Sequence, residues 1–285
     1  MNKEFELFLY GLFARSDATF LESYMSHTKY YVSQYKSLTV YKRPAKQSSL
    51  GAVLLLSGGC RLWFTKYMQK FADDMDCEHD LYICENFNTY NMLCIDDLAS
   101  FVKQLGSVPL TIIGFSMGGV IGSHVLARAG RKATLITFDT PYAIPVSTRL
   151  YDTFYFWRMD IAHLYWLAVF NCPESNIRDL AETTSFGGYA RFIERRYGIT
   201  YDEFIALNTM NPNMRKCRVV SFYSCCDPVI HRTSHLPVVE DFKSNLHKSS
   251  SFVEREFAVL QPGHCTVMAK PENSSVICRQ IREYL

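Results

Sequence analysis

The sequence predicts an α/β domain: one mostly parallel central sheet, flanked by helices on both faces and interrupted by a helical insertion. Three observations carry this. First, short apolar runs at Ala52–Leu56, Asp80–Cys84, Leu110–Ile113 and Ala133–Phe138 alternate with segments of helical periodicity, the rhythm of a parallel sheet buried on both sides. Second, Gly114-Phe115-Ser116-Met117-Gly118-Gly119 lies between one such run and the helical segment Val120–Ala129. Third, the rhythm breaks from about Val146 to Met214, where aromatic and charged helical segments replace buried strands. Strand character returns at Arg218–Ser224 and Phe257–Leu260. Residues 1–145 and 215–285 are therefore read as the core domain, and 146–214 as an insertion into it.

Taken in order, Phe5, Phe8, Leu9, Leu12 and Phe13 recur at helical spacing, so the chain starts with an amphipathic helix that caps the sheet or covers a binding mouth. Tyr30–Tyr35 and Leu38–Lys42 read as a strand pair, followed by a loop at Arg43–Ser49 and the strand Ala52–Leu56. Trp63–Met75 has helical periodicity. A helix from Ile95 to about Leu105 carries Asp96 and Asp97 in its first turn, where the helix dipole favours acids. Gly130 ends the helix after the serine turn. Thr200-Tyr201-Asp202-Glu203 has the form of a capping box within the insertion, and Ser275–Leu285 reads as a closing helix.

The 285 residues balance 30 Lys and Arg against 28 Asp and Glu, a formal net charge of +2. Such a balance offers no bulk attraction for nucleic acid. No stretch reaches the roughly 18 apolar residues of a membrane span, and the start, Met1-Asn2-Lys3-Glu4-Phe5, has no secretory pattern. Ten cysteines are scattered without metal-type pairing, so reduced thiols in a cytoplasmic protein are expected, with no metal site. Cys225, Cys226 and Cys265 are read as small packing side chains. Aromatics make up 14% of residues, which predicts either an aromatic-rich core or an apolar binding surface.

Gly-x-Ser-x-Gly between a strand and a helix is the arrangement that raises a serine hydroxyl on a sharp turn at the sheet edge. Gly114 and Gly118 leave room for that turn, and the helix N-terminus adds positive partial charge beside the hydroxyl. A serine needs a base and the base an orienting acid. Asp227, in Cys226-Asp227-Pro228, follows the strand Arg218–Ser224. His264, in Pro262-Gly263-His264, follows Phe257–Leu260. The C-terminal ends of parallel strands share one edge, so these three residues can converge. Asp139 is the rival acid, and Asp227 can also be read as a turn former before Pro228. The other histidines fit less well: His231 and His235 share the acid's loop, His124 lies inside the helix after the serine, and His247 lies in a polar stretch.

With these pieces in view, the chain resembles the α/β-hydrolase superfamily, in its serine esterase and lipase branch with a helical cap. The matching residues are Leu54–Gly59, Asp96-Asp97-Leu98, the 114–119 turn, Thr137–Pro141, Asp227-Pro228-Val229, and Pro262-Gly263-His264 with Pro271-Glu272. The resemblance implies an α/β-hydrolase fold with Ser116 as nucleophile, His264 as general acid and base, and Asp227 as the orienting carboxylate. It implies an oxyanion hole made by the backbone N–H groups of Met117 and Gly59. The chain departs from the commoner pattern by carrying Ser57 where a histidine is usual, and Cys60 is the alternative second donor.

The implied activity is cleavage of a carboxylic ester with an apolar or lipid-like acyl part, with no metal or organic cofactor. Thioester cleavage, acyl transfer, or ligand binding without catalysis are the alternatives on the same architecture. Tyr151, Phe154, Tyr155, Phe156, Trp157, Tyr165, Trp166 and Phe170 crowd the insertion. By the resemblance this segment is a cap whose aromatics suit an apolar acyl chain; the plainer account is that they pack the cap. The expected partner is a small-molecule ester, with transient contact to a lipid surface and no transmembrane segment; the sequence does not set the oligomeric state.

Overall fold

Residues 30–56, 71–75, 78–85, 94–142, 200, 203, 206–207, 209–224, 232–257 and 271–285 are described by a computed structural model. The strands are β1 (Tyr31–Tyr35), β2 (Leu38–Arg43), β3 (Ala52–Leu56), β4 (Asp80–Glu85), β5 (Leu110–Phe115), β6 (Ala133–Phe138), β7 (Cys217–Ser224) and β8 (Ser251–Phe257). They form one eight-stranded sheet in the order β1-β2-β4-β3-β5-β6-β7-β8. Pairing is parallel from β4 through β8, and antiparallel only where β2 meets β1 and β4. The chain thus has the mostly parallel sheet that its alternating pattern predicts.

Every residue of β3 and of β5 is buried, because helices cover both faces and neither face of these strands meets water. The helices are α1 (Ile95–Gln104), α2 (Met117–Ala129), α3 (Arg232–Asn245) and α4 (Pro271–Ile281). On one face, Val53, Leu55, Ile113, Phe115, Ile136 and Phe138 pack with Phe71, Met75 and the buried side of α4, Ile277 and Ile281. On the other, α2 lies so close that a Cβ on Gly122 would come within 2.8 Å of Leu135 and 3.2 Å of Ile112. Strand residues one apart therefore feed opposite cores, as a period of two requires.

The aromatic excess is partly explained here. Phe115, Phe138 and Phe222 stack across β5, β6 and β7 with ring centroids 4.9 and 5.2 Å apart. Phe71 meets the first two edge-on, and Tyr284 closes the row against Phe222. Each pair adds about 0.5–1.5 kcal/mol beyond its burial. For these residues the core reading holds.

Helix ends follow the local chemistry. Gly130 closes α2 in the left-handed conformation, φ 65°, with its N–H donating to the Leu126 carbonyl. The Thr200 hydroxyl accepts from the Glu203 N–H at 3.2 Å while the Glu203 carboxylate accepts from the Thr200 N–H at 2.7 Å, the reciprocal pair of a capping box. α4 starts at Pro271, where a missing N–H costs nothing, and passes into a short 3-10 turn at Arg282–Tyr284.

Two elements differ from expectation. β8 begins at Ser251, upstream of the predicted Phe257–Leu260. It is an edge strand whose sequence, Ser-Phe-Val-Glu-Arg-Glu-Phe, keeps charged side chains that a search for buried runs passes over. α3 runs through a stretch expected to be loop, and Pro237 stands inside it, a local signal against a helix. Phe242 anchors α3 through rings 5.1 Å from Tyr142 and 6.0 Å from Phe252. His235 accordingly lies on α3 and not in a loop.

The chain divides into two compact units, 1–142 with 210–285, and 143–209. Within the first, the Met210 N–H donates to the Tyr142 carbonyl at 2.9 Å, so the chain leaves and re-enters this unit at one point. Among the described residues no helix is long and apolar enough to cross a membrane. The predicted N-terminal helix, the part of Trp63–Met75 before Phe71, and the aromatic run of the insertion lie outside the described residues.

Candidate active site

β5 and α2 are separated by a single residue, Ser116, with φ 49° and ψ −122°. A non-glycine residue held there costs on the order of 1–3 kcal/mol, and persists only where its surroundings over-determine it. They do. The Ser116 N–H donates to the Phe138 carbonyl at 2.8 Å, and the Ser116 carbonyl accepts from the Gly119 N–H at 3.1 Å. The Thr140 hydroxyl donates to the same carbonyl at 2.9 Å. The sharp turn thus leans on the end of β6 by both of its peptide groups.

Glycine makes the approach possible. A Cβ on Gly114 would lie 2.5 Å from the carbonyl carbon and oxygen of Gly118, against backbone that cannot give way. A Cβ on Gly119 would fall on the Thr140 hydroxyl and within 2.7 Å of its methyl group. The need for glycine at 119 arises from a strand that is distant in sequence, so the motif alone does not show it.

Met117 is the first residue of α2. An N–H at that position has no acceptor within its own helix and sits at the positive end of the helix dipole. It is available to a developing negative charge beside Ser116. Ser116 and Met117 are both half-buried, while the glycines that follow are buried.

Strand order marks out this edge of the sheet. β3 pairs with β4 on one side and β5 on the other, so the winding direction reverses at this pair, and ligand crevices form at such reversals. Leu56, the end of β3, stands opposite Gly114. Phe115 stands opposite Phe138, and Phe138 opposite Phe222. The structure brings Ser116, Met117 and Asp139 to this edge. Asp139 follows β6 with φ 44°, is buried, and donates its N–H to the Phe222 carbonyl at 3.0 Å. Gly59, Cys60, Asp227 and His264 lie outside the described residues; β7 ends at Ser224 and β8 at Phe257, upstream of the last two.

The remaining described histidines have other settings. His124 is buried on α2, with Nδ1 3.5 Å from the Asn211 side-chain nitrogen. His79 is buried at the start of β4, at the opposite end of the strands from Ser116. His247 bonds to Ser249 at 3.0 Å. Cys84, Cys94, Cys217 and Cys278 are buried thiols, and burial pushes the Cys217 thiol up to about 11, which disfavours the reactive thiolate.

No protein-family model matches the chain, and no curated protein matches it significantly. Solved structures do. A bacterial membrane phospholipase A, described as a virulence factor, is 17% identical with a TM-score of 0.55, over 94% of this chain and 91% of its own. A carboxylesterase of the thaumarchaeon Nitrososphaera gargenis is 18% identical with a TM-score of 0.50, over 90% and 98%. An α/β-hydrolase enzyme from a deep-sea metagenome library of the Medee basin is 13% identical with a TM-score of 0.52, over 88% and 96%. Identities this low speak to architecture. With the strand order and the strained serine between β5 and α2, they establish that the chain has the α/β-hydrolase fold.

Proposed function

We propose that the chain is a serine hydrolase that cleaves carboxylic esters with an apolar or lipid-like acyl part. The observation that carries this reading is the strained, doubly braced backbone of Ser116 at the head of α2. In this reading Ser116 Oγ attacks the ester carbonyl and His264 takes its proton, oriented by Asp227. The N–H groups of Met117 and Gly59 hold the tetrahedral oxyanion. Collapse expels the alcohol, which receives the proton from His264, and water then releases the acid from the acyl-enzyme. One such oxyanion donor is worth about 10²–10³ in rate. The insertion 146–214 is, in the same reading, a helical cap whose aromatics select the acyl group. Esterase, lipase and phospholipase neighbours in structure support the reaction class.

The reading is tested by labelling with a fluorophosphonate probe, which reacts only with an activated serine. The wild-type protein is expected to label and Ser116→Ala not to. A folded wild-type protein that stays unlabelled removes the proposal. Among labelled proteins, turnover of esters of graded acyl length is expected to rise with chain length, and a flat profile removes the apolar acyl preference.

A further inference from the structure

We propose that Thr140 is a positioning residue of the oxyanion hole, whose hydroxyl sets the plane of the Ser116–Met117 peptide. The inference rests on the hydrolase reading above and deepens it. The carbonyl of Ser116 and the N–H of Met117 belong to one peptide group, and that group is planar with its oxygen and hydrogen on opposite sides. Whatever fixes the oxygen fixes the direction in which the N–H points.

Thr140 Oγ1 lies 2.9 Å from the Ser116 carbonyl oxygen and 3.4 Å from that of Phe138. A hydroxyl has one proton to donate, and the shorter contact takes it. The side chain is nearly inaccessible, at 2% exposure, so water does not compete for the bond. Its rotation is blocked too: hydroxyl and methyl both pack where a Cβ on Gly119 would stand, and a β-branched side chain is already stiff. With the Gly119 N–H at 3.1 Å as second donor, both lone pairs of the Ser116 carbonyl are engaged. Donation to a carbonyl also polarises the amide behind it, which strengthens its N–H as a donor. Thr140 therefore acts on the oxyanion through Met117 without touching substrate. Its own backbone follows β6, which ties the alignment of the hole to the sheet.

Thr140→Val keeps the shape and removes the hydroxyl, whereas Thr140→Ser keeps the hydroxyl. In steady-state turnover of a p-nitrophenyl ester, Thr140→Val is expected to lower kcat about tenfold, a fraction of the ~10²–10³ for complete loss of a donor, with KM within twofold. Thr140→Ser is expected to stay within about threefold of wild type. A boronic acid, which forms a tetrahedral adduct on the serine, should bind Thr140→Val weaker by the same factor as the fall in kcat. If Thr140→Val proves too unstable to assay, Thr140→Cys, a weak donor of similar size, should show a smaller fall in the same direction. Wild-type turnover with unchanged kcat and boronate affinity in the hydroxyl-free variant overturns the inference alone. A wild-type protein without turnover or fluorophosphonate labelling overturns the hydrolase reading and this inference with it.

Discussion

Lys36, at the tip of the β1–β2 hairpin, and Ser116, at the head of α2, have nearly the same φ, 52° and 49°. Lys36 is exposed, and side chains steady it: its ammonium donates to Ser100 Oγ at 3.0 Å and pairs with Asp97 at 3.5 Å. Ser116 is held by backbone bonds to the β6 end and by glycines whose replacement would collide with the main chain or with Thr140. One tip is a surface turn with a loose tether. The other is a rigid corner built from two distant pieces of sequence, 114–119 and 137–140. A positive φ alone does not mark function; what distinguishes the corner is how many independent contacts refuse to let it relax.

The largest effect that can break this contrast comes from Gly114→Ala. The added Cβ meets the Gly118 peptide, so either the corner opens or the variant does not fold. A loss of about 3 kcal/mol or more is expected in urea denaturation, at or above the usual cost of overpacking. Gly106→Ala is the control. It has φ 72° and open space around it, so it should lose only about 1 kcal/mol, the left-handed penalty. Equal losses at the two sites would mean that the corner is no more constrained than a surface turn.

A smaller and opposite effect is expected from glycine at the two tips themselves. Ser116→Gly relieves on the order of 1–3 kcal/mol of backbone strain and gives part of it back as chain entropy. The variant should be about 1 kcal/mol more stable than wild type and silent to fluorophosphonate. Lys36→Gly trades a mild turn penalty against its lost tether, and should fall within about 0.5 kcal/mol of wild type. A stability gain at Lys36 and none at Ser116 would reverse the argument.

The same contrast shows what could be read from the sequence. The buried runs of β3, β5 and β6 announce themselves because both faces are covered and nearly every side chain is apolar. Gly-Phe-Ser-Met-Gly-Gly announces the corner because a tight strand-to-helix crossing leaves few residue choices. Gly119 and Thr140 stay hidden, since their roles exist only once β6 lies beside β5. β8 and α3 stay hidden for another reason. An edge strand accommodates Glu254 and Arg255, and α3 holds its place through Tyr142, Phe242 and Phe252 against the local signal of Pro237.

The smallest effect concerns the tether at the hairpin tip. The Ser37 hydroxyl bonds to Asp97, and with the Ser37 N–H at 3.4 Å and Lys36 nearby it holds the Asp97 carboxyl below the usual carboxylate range. A carboxyl whose folded pKa lies below its unfolded one stabilises the fold above the unfolded value, about 3.9. That contribution fades as pH falls through the folded value. Asp97→Asn should therefore cost under ~1 kcal/mol at pH 7, as expected for a half-exposed pair. The difference from wild type should shrink as pH is lowered below 4 and as salt is raised. A deficit that persists unchanged at low pH would show that the tip is held by the shape of its turn and not by the charge on Asp97.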